Sequence, residues 1–210
     1  MDQQEVSDPL WECCETPRRR KCLCSYKRAV KSAIEKILHA DKVEYQHEET
    51  MFGDNSEENI CRLRTAFEVK QEKMQEGYIA QKVLGLFYGW EDLGTGHDSG
   101  LDIRKKNSTI IFELKNNYNT CNSGSQKAIL DKLARYNARH PNTICAWGII
   151  NPKPGCKKLV QSLRHDGVEI VKIQGESLFE LVFTYEHHDY SKEVVDFVKQ
   201  TMYRARTAPL

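Results

Sequence analysis

The stretch GHDSGLDIRKKNSTIIFELKNNYNT, residues 96–120, decides how this chain is read. It opens with turn residues and a short apolar segment, Leu101-Asp102-Ile103, passes through a turn-like Arg-Lys-Lys-Asn, and enters Thr109–Lys115. The β-branched and aromatic residues of that last segment predict a strand. Charged side chains are normally kept out of strand interiors, yet Glu113 and Lys115 stand two residues apart inside this one. Alternation along a strand sends Glu113 and Lys115 to one face and Phe112 and Leu114 to the other. A hairpin would bring Asp102 onto the neighbouring strand close to Glu113, so that two carboxylates and one ammonium converge.

Such a cluster has a chemical use. Two carboxylates held a few ångströms apart repel each other, and a hard divalent cation such as Mg²⁺ relieves the repulsion by oxygen coordination. The cation polarises a phosphodiester oxygen and acidifies a bound water, while a neighbouring lysine orients that water or balances charge on the phosphoryl oxygens. An isolated Glu-x-Lys is more simply explained by a ribbon with a polar outer face. Here the strand is otherwise strongly apolar, a long helical pattern precedes it and a helix-strand unit follows.

On the N-terminal side, Val30, Ile34, Ile37 and Leu38 form one stripe, predicting an amphipathic helix over 27–40, and a polar, acidic loop follows. Residues 61–88 lack proline and space Phe67, Met74, Tyr78, Ile79, Val83, Leu86 and Phe87 at helical intervals, which predicts one long helix weakened at Gly77 and Gly85. The segment GWEDLGTGHDSG then reads as turn-rich. On the C-terminal side, residues 123–140 read as a helix capped by Ser123 or Ser125 and buried along Ala128, Ile129, Leu133 and Tyr136. Strands are predicted at 143–150 and in GVEIVKI, and a last helix in SKEVVDFVKQTMYRAR. The class is α/β, a mixed β-sheet flanked by helices. The expected division is an N-terminal arm, basic helix and acidic loop over 1–60, a core over 61–175 and a C-terminal helical extension over 176–210, all within one domain.

Composition sets the outer bounds. The 210 residues are 40% hydrophobic and 29% charged, with a net charge of +1. No apolar run approaches the roughly 20 residues of a membrane span, and the acidic N-terminus lacks the basic start of a secretory signal. A cytoplasmic or comparable reducing compartment is therefore expected. Of the eight cysteines, Cys13, Cys14, Cys22 and Cys24 form the one cluster with any claim to zinc. Adjacent cysteines and a Cys-Leu-Cys pair do not match knuckle spacing, so reduced thiols are expected. Charge is segregated: residues 1–15 carry five acids and no base, and the next run, 18–32, seven bases and no acid. Near-neutral overall charge argues against a protein that simply coats nucleic acid, though not against an enzyme with a local basic cleft. His97 and Asp98 lack a nucleophilic partner and read as a loop supporting Asp102.

At GYIAQKVLG, GWEDLGTG, GLDI and above all FELKNNYNTCNSGSQKAILDKL, the chain resembles the PD-(D/E)xK nuclease superfamily, and more closely the type II restriction endonucleases that cut GGNCC sites. The resemblance spans residues 77–133 and implies a restriction-endonuclease-like core of helix, three strands, helix and strand, with added N- and C-terminal helices. It implies Asp102 and Glu113 as metal-binding carboxylates and Lys115 as the catalytic lysine. A further side chain from the preceding helix is expected, with Gln81 preferred over Glu76. Leu101 stands where the superfamily's proline would precede Asp102. Asn117, Asn119, Thr120, Ser123 and Lys127 are candidate DNA contacts, with Asn116 and Lys132 beside them, although loop chemistry and a solvated helix face would use the same residue types. The implied activity is sequence-specific cleavage of double-stranded DNA with Mg²⁺, or Mn²⁺ in its place, by a homodimer accompanied by a protective DNA methyltransferase. A repair nickase or junction resolvase on the same fold, and a non-catalytic DNA-binding protein, are the alternatives.

Overall fold

The computed structural model describes residues 17–40, 43–48, 53–107 and 109–207, with side chains from Leu23 onward; Cys13, Cys14 and the Cys22 side chain lie outside it. Helix α1 (Pro17–Leu38) begins ten residues before the predicted start, because the basic run continues the helix. Helix α2 (Glu57–Gly85) also starts earlier than expected. Ser56 caps it by accepting from the Asn59 amide at 3.3 Å, and Glu57 and Glu58 suit the positive end of its dipole. Of the predicted α2 stripe, Ile79, Val83 and Phe87 are buried, whereas Met74, Tyr78 and Leu86 are exposed.

Three antiparallel strands follow, β1 (Trp90–Asp92), β2 (Ile103–Lys105) and β3 (Ile110–Asn117). β1 lies within the segment that reads as turn-rich: three residues, two of them acidic, are too few to show a period. Helix α3 (Ser123–Arg139) carries the chain to β4 (Ile144–Asn151), which runs parallel to β3. Its cap is Asn122, whose Oδ1 accepts from the Ser125 amide at 2.8 Å, so neither serine serves that role. Ile129, Leu133 and Ala134 are its buried residues, while Ala128 is exposed.

Strands β5 (Lys158–His165) and β6 (Val168–Gly175) form a hairpin of which the apolar pattern marks only the second half. Asp166 and Gly167 make its two-residue turn at φ 48° and 80°, the positive values that a tight hairpin requires. The sheet order is β1-β2-β3-β4-β6-β5, with β6 parallel to β4. Helix α4 (Glu176–Phe183), a small ribbon of β7 (Thr184–Tyr185) and β8 (His188–Asp189), and α5 (Ser191–Thr207) complete the described residues.

One sheet face buries Phe112, Leu114 and Ala146 against α1, α2, α4 and α5, through Ile34, Ile79 and Val194 among others. The other packs Ile111, Cys145, Trp147 and Ile170 on α3, through Ile129 and Leu133. The alternation along β3 therefore turns Glu113 and Lys115 toward α3. At the join of α2 and β1, a Cβ on Gly85 would lie 2.5 Å from Asp92 Cβ, 2.7 Å from its Cα and 2.8 Å from its N. Only glycine permits that approach. Among the described residues no helix is long and apolar enough to cross a membrane.

Candidate active site

The site is assembled by the β2–β3 hairpin. Ile103 pairs with Phe112 and Arg104 with Ile111, so one step further sets Asp102 across from Glu113 on the same face. Two bonds lock this register: the Asp102 amide donates to the Phe112 carbonyl at 2.9 Å, and the Leu114 amide donates to Asp102 Oδ2 at 2.6 Å. The approach is shaped by the preceding loop, where the Ser99 hydroxyl oxygen sits 2.8 Å from His97 Nδ1 and accepts from the Leu101 amide at 3.1 Å. His97 thus belongs to the loop that carries Asp102.

Glu113 is 5% exposed. Its Oε1 accepts from Lys115 Nζ at 2.7 Å and its Oε2 from Lys132 Nζ at 2.5 Å. Burial pushes the Asp102 carboxyl up to about 6, and the charge of Glu113 adds to the rise; the Leu114 amide, Lys115 and Lys132 act against it. Burial alone would lower the Lys115 ammonium, but its hydrogen bond to Glu113 and the charges of Glu113 and Asp102 lift it above the usual lysine value. Two hard carboxylates on one face, whose mutual repulsion shows in Asp102, form a donor set suited to a divalent cation.

Gln81 on α2 donates to Asp92 Oδ1 at 2.8 Å and lies 3.5 Å from the Asp102 carbonyl oxygen. Glu76, one and a half turns earlier, instead faces α5, where Arg206 lies 3.4 Å from it. Sequence reasoning passed over Asp92, whose side chain is 7% exposed and is held by Gln81, by the Gly94 amide at 3.1 Å and by an ion pair to Lys82. The glutamine, lysine and aspartate tie α2 to β1 directly behind Asp102.

After the strand, Asn117 accepts from the Thr120 hydroxyl at 2.7 Å through its carbonyl, closing a turn in which Asn119 and Thr120 are exposed. Asn116 is tied inward, donating to the Lys73 carbonyl at 3.1 Å and accepting from Asn151 at 2.9 Å. Ser123 and Lys127 are exposed on the first turns of α3. Lys132 is the residue that the structure moves from the periphery to the centre: it contacts Glu113. Its spacing from Lys127 gave no hint of this, since the contact depends on how α3 crosses β3. A separate group, Asp131, His165 and Asp166, lies on the other flank of α3, with ligand atoms within 4.8 Å of one another. It is accounted for by the hydrogen bond between His165 Nε2 and Asp131 Oδ1 at 2.6 Å and by the β5–β6 turn.

The raised Asp102 value has a measurable consequence in metal-free protein. An ordinary aspartate ionises near 3.8 and this one near 6, so the folded state loses stability as pH rises through that window and carries the whole loss above it. Asp102→Asn is expected to raise stability in EDTA at pH 8 by about 1–2 kcal/mol, allowing for partial hydration, and by little at pH 4. Thermal melting of both proteins at the two pH values checks this; an equal effect at both would refute it.

Comparison with known proteins bears on the same elements. The type II restriction enzyme Sau96I of Staphylococcus aureus is 29% identical over 71 residues, which are 34% of this chain and 26% of that enzyme. The match thus spans about a quarter of the length of that curated relative. The family profile described as Eco47II restriction endonuclease matches residues 20–200, from α1 into α5. The chain belongs to the Eco47II restriction endonuclease family.

Proposed function

We propose that this protein is a sequence-specific endonuclease that hydrolyses one phosphodiester in each strand of double-stranded DNA, with Mg²⁺ or Mn²⁺ as cofactor. The observation that carries this reading is the convergence of Asp102, Glu113 and Lys115 on one face of the β2–β3 hairpin, in a chain of a restriction endonuclease family. Asp102 and Glu113 would hold the metal, which when bound supplies a polarised phosphate oxygen and an acidified water. Lys115 orients the attacking water and balances charge gathering on the phosphoryl group. Gln81 acts behind them, fixing Asp92 and the backbone of Asp102. Asn117, Asn119, Thr120, Ser123 and Lys127 would approach the DNA from the turn after β3 and the start of α3, where Asn119, Thr120, Ser123 and Lys127 are exposed.

A GGNCC-like target is inferred from the motif resemblance around residues 112–133, as is a homodimer whose two-fold symmetry matches a symmetric site. Cutting at such a site calls for a protective methyltransferase in the same cell. The test is incubation with a plasmid of known sequence in Mg²⁺ and, separately, in EDTA, with fragment ends sequenced. Discrete cuts that require Mg²⁺ are expected, and their positions give the target. Nicking or structure-selective cutting would assign the fold to repair or junction resolution, and specific retention of intact DNA would make the protein a binder.

A further inference from the structure

The two lysines on Glu113 are not equivalent. Lys115 leaves the same strand two residues on, so strand geometry alone sets it on the face of Glu113. Lys132 reaches across from α3; the two side chains are equally exposed, 31% and 32%, so what separates them is that Lys132 meets Glu113 only through the packing of the helix on the sheet. Its ammonium sits 2.5 Å from Oε2, in contact with lone pairs that a coordinated cation would need. The loop before Asp102 passes close by: a Cβ on Gly100 would stand 3.3 Å from Lys132 Cε and 3.8 Å from its Nζ. Glycine at that position leaves the stem room to move.

The balance of charge decides between the two. Asp102 and Glu113 bring two negative charges and Lys115 and Lys132 two positive ones, so the metal-free cluster is balanced. A divalent ion would leave an excess of two positive charges at close range, and the lysine anchored on the other element is the one free to leave. We propose that Lys132 is a stand-in cation: it occupies the metal's place on Glu113 in the free protein and yields it to the divalent ion, its ammonium then pairing with a DNA phosphate. This rests on Asp102 and Glu113 being the metal ligands. Lys132 would thereby hold metal affinity low until DNA supplies the charge that releases it, coupling metal loading to substrate binding.

The test is titration with Mn²⁺ in the absence of DNA, followed by the paramagnetic signal of free Mn²⁺, so that cleavage is not the readout. Lys132→Met, which keeps the apolar stem, should bind Mn²⁺ roughly tenfold or more tightly than wild type, the scale of removing one close unit charge at a partly hydrated site. Lys132→Arg, which keeps the charge, should stay near wild type. Arg135→Ala also removes one positive charge from exposed α3 and should change the affinity little. Glu113→Gln should abolish the binding in every background. Unchanged or weaker Mn²⁺ binding by Lys132→Met, while binding still depends on Glu113, would overturn the stand-in role and leave the metal site intact. Binding indifferent to both Glu113→Gln and Asp102→Asn would overturn the site itself, and Mn²⁺ binding by neither wild type nor Lys132→Met would overturn the stand-in role.

Discussion

Lys115→Ala is expected to abolish cleavage, lowering the rate by roughly a thousandfold or more, while DNA retention in Ca²⁺ stays close to wild type. The ammonium stands 2.7 Å from Glu113 on the face that Asp102 shares, so its loss removes charge where the phosphoryl group gains it, not where bases are read. Glu113→Gln should have a comparable effect by a different route, since it removes a metal ligand. The two variants separate in metal binding: Lys115→Ala keeps both carboxylates and Glu113→Gln does not. Single-turnover cleavage of a labelled duplex beside a gel-shift assay gives the comparison. Normal turnover by both variants would sink the assignment of this cluster.

The second large effect is structural. Gly85→Ala places a methyl group 2.5–2.8 Å from the backbone and Cβ of Asp92, and no flexible side-chain end is available to give way. Helix α2 must lift from β1, pulling on the contacts of Gln81 and Lys82 with Asp92. The cost is about 1–3 kcal/mol by analogy with overpacked interiors, a drop in melting temperature of several degrees for a chain of this size. Circular dichroism melts measure it. An unchanged Tm would mean that the helix and strand do not meet as tightly as described.

Elements with a long regular pattern were legible in the sequence. The strand at Ile110–Asn117, helix α3, β4 and α5 follow their apolar periods to within a residue or two at each end. Starts were harder, because caps and charge extend a helix without apolar periodicity: Ser56 and the basic run before Ser25 carry α2 and α1 outward from their buried stripes. Short or exposed strands were missed for a related reason. β1 has three residues, and β5, mostly exposed at the sheet edge, has no buried face to mark it. The Asp-Gly pair at 166–167 was the available signal for that hairpin. Within the site, neighbours on one hairpin were readable by alternation alone. Contacts that depend on the crossing of two elements, such as Lys132 with Glu113 or Gln81 with Asp92, were not, because no local spacing encodes a crossing angle.

The amide of Leu114 bound to the Asp102 carboxylate has a consequence for misfolding. If β2 and β3 zipped up one residue out of step, every side chain of the slipped strand would change faces. Asp102 would lose both its amide and its place opposite Glu113, and Phe112 would be turned toward α3. A molecule with the wrong register therefore has no working set of charges and no stable core. If the protein cuts DNA as proposed, such an error yields a dead protein rather than a badly aimed one, so fidelity of assembly would guard against stray cuts.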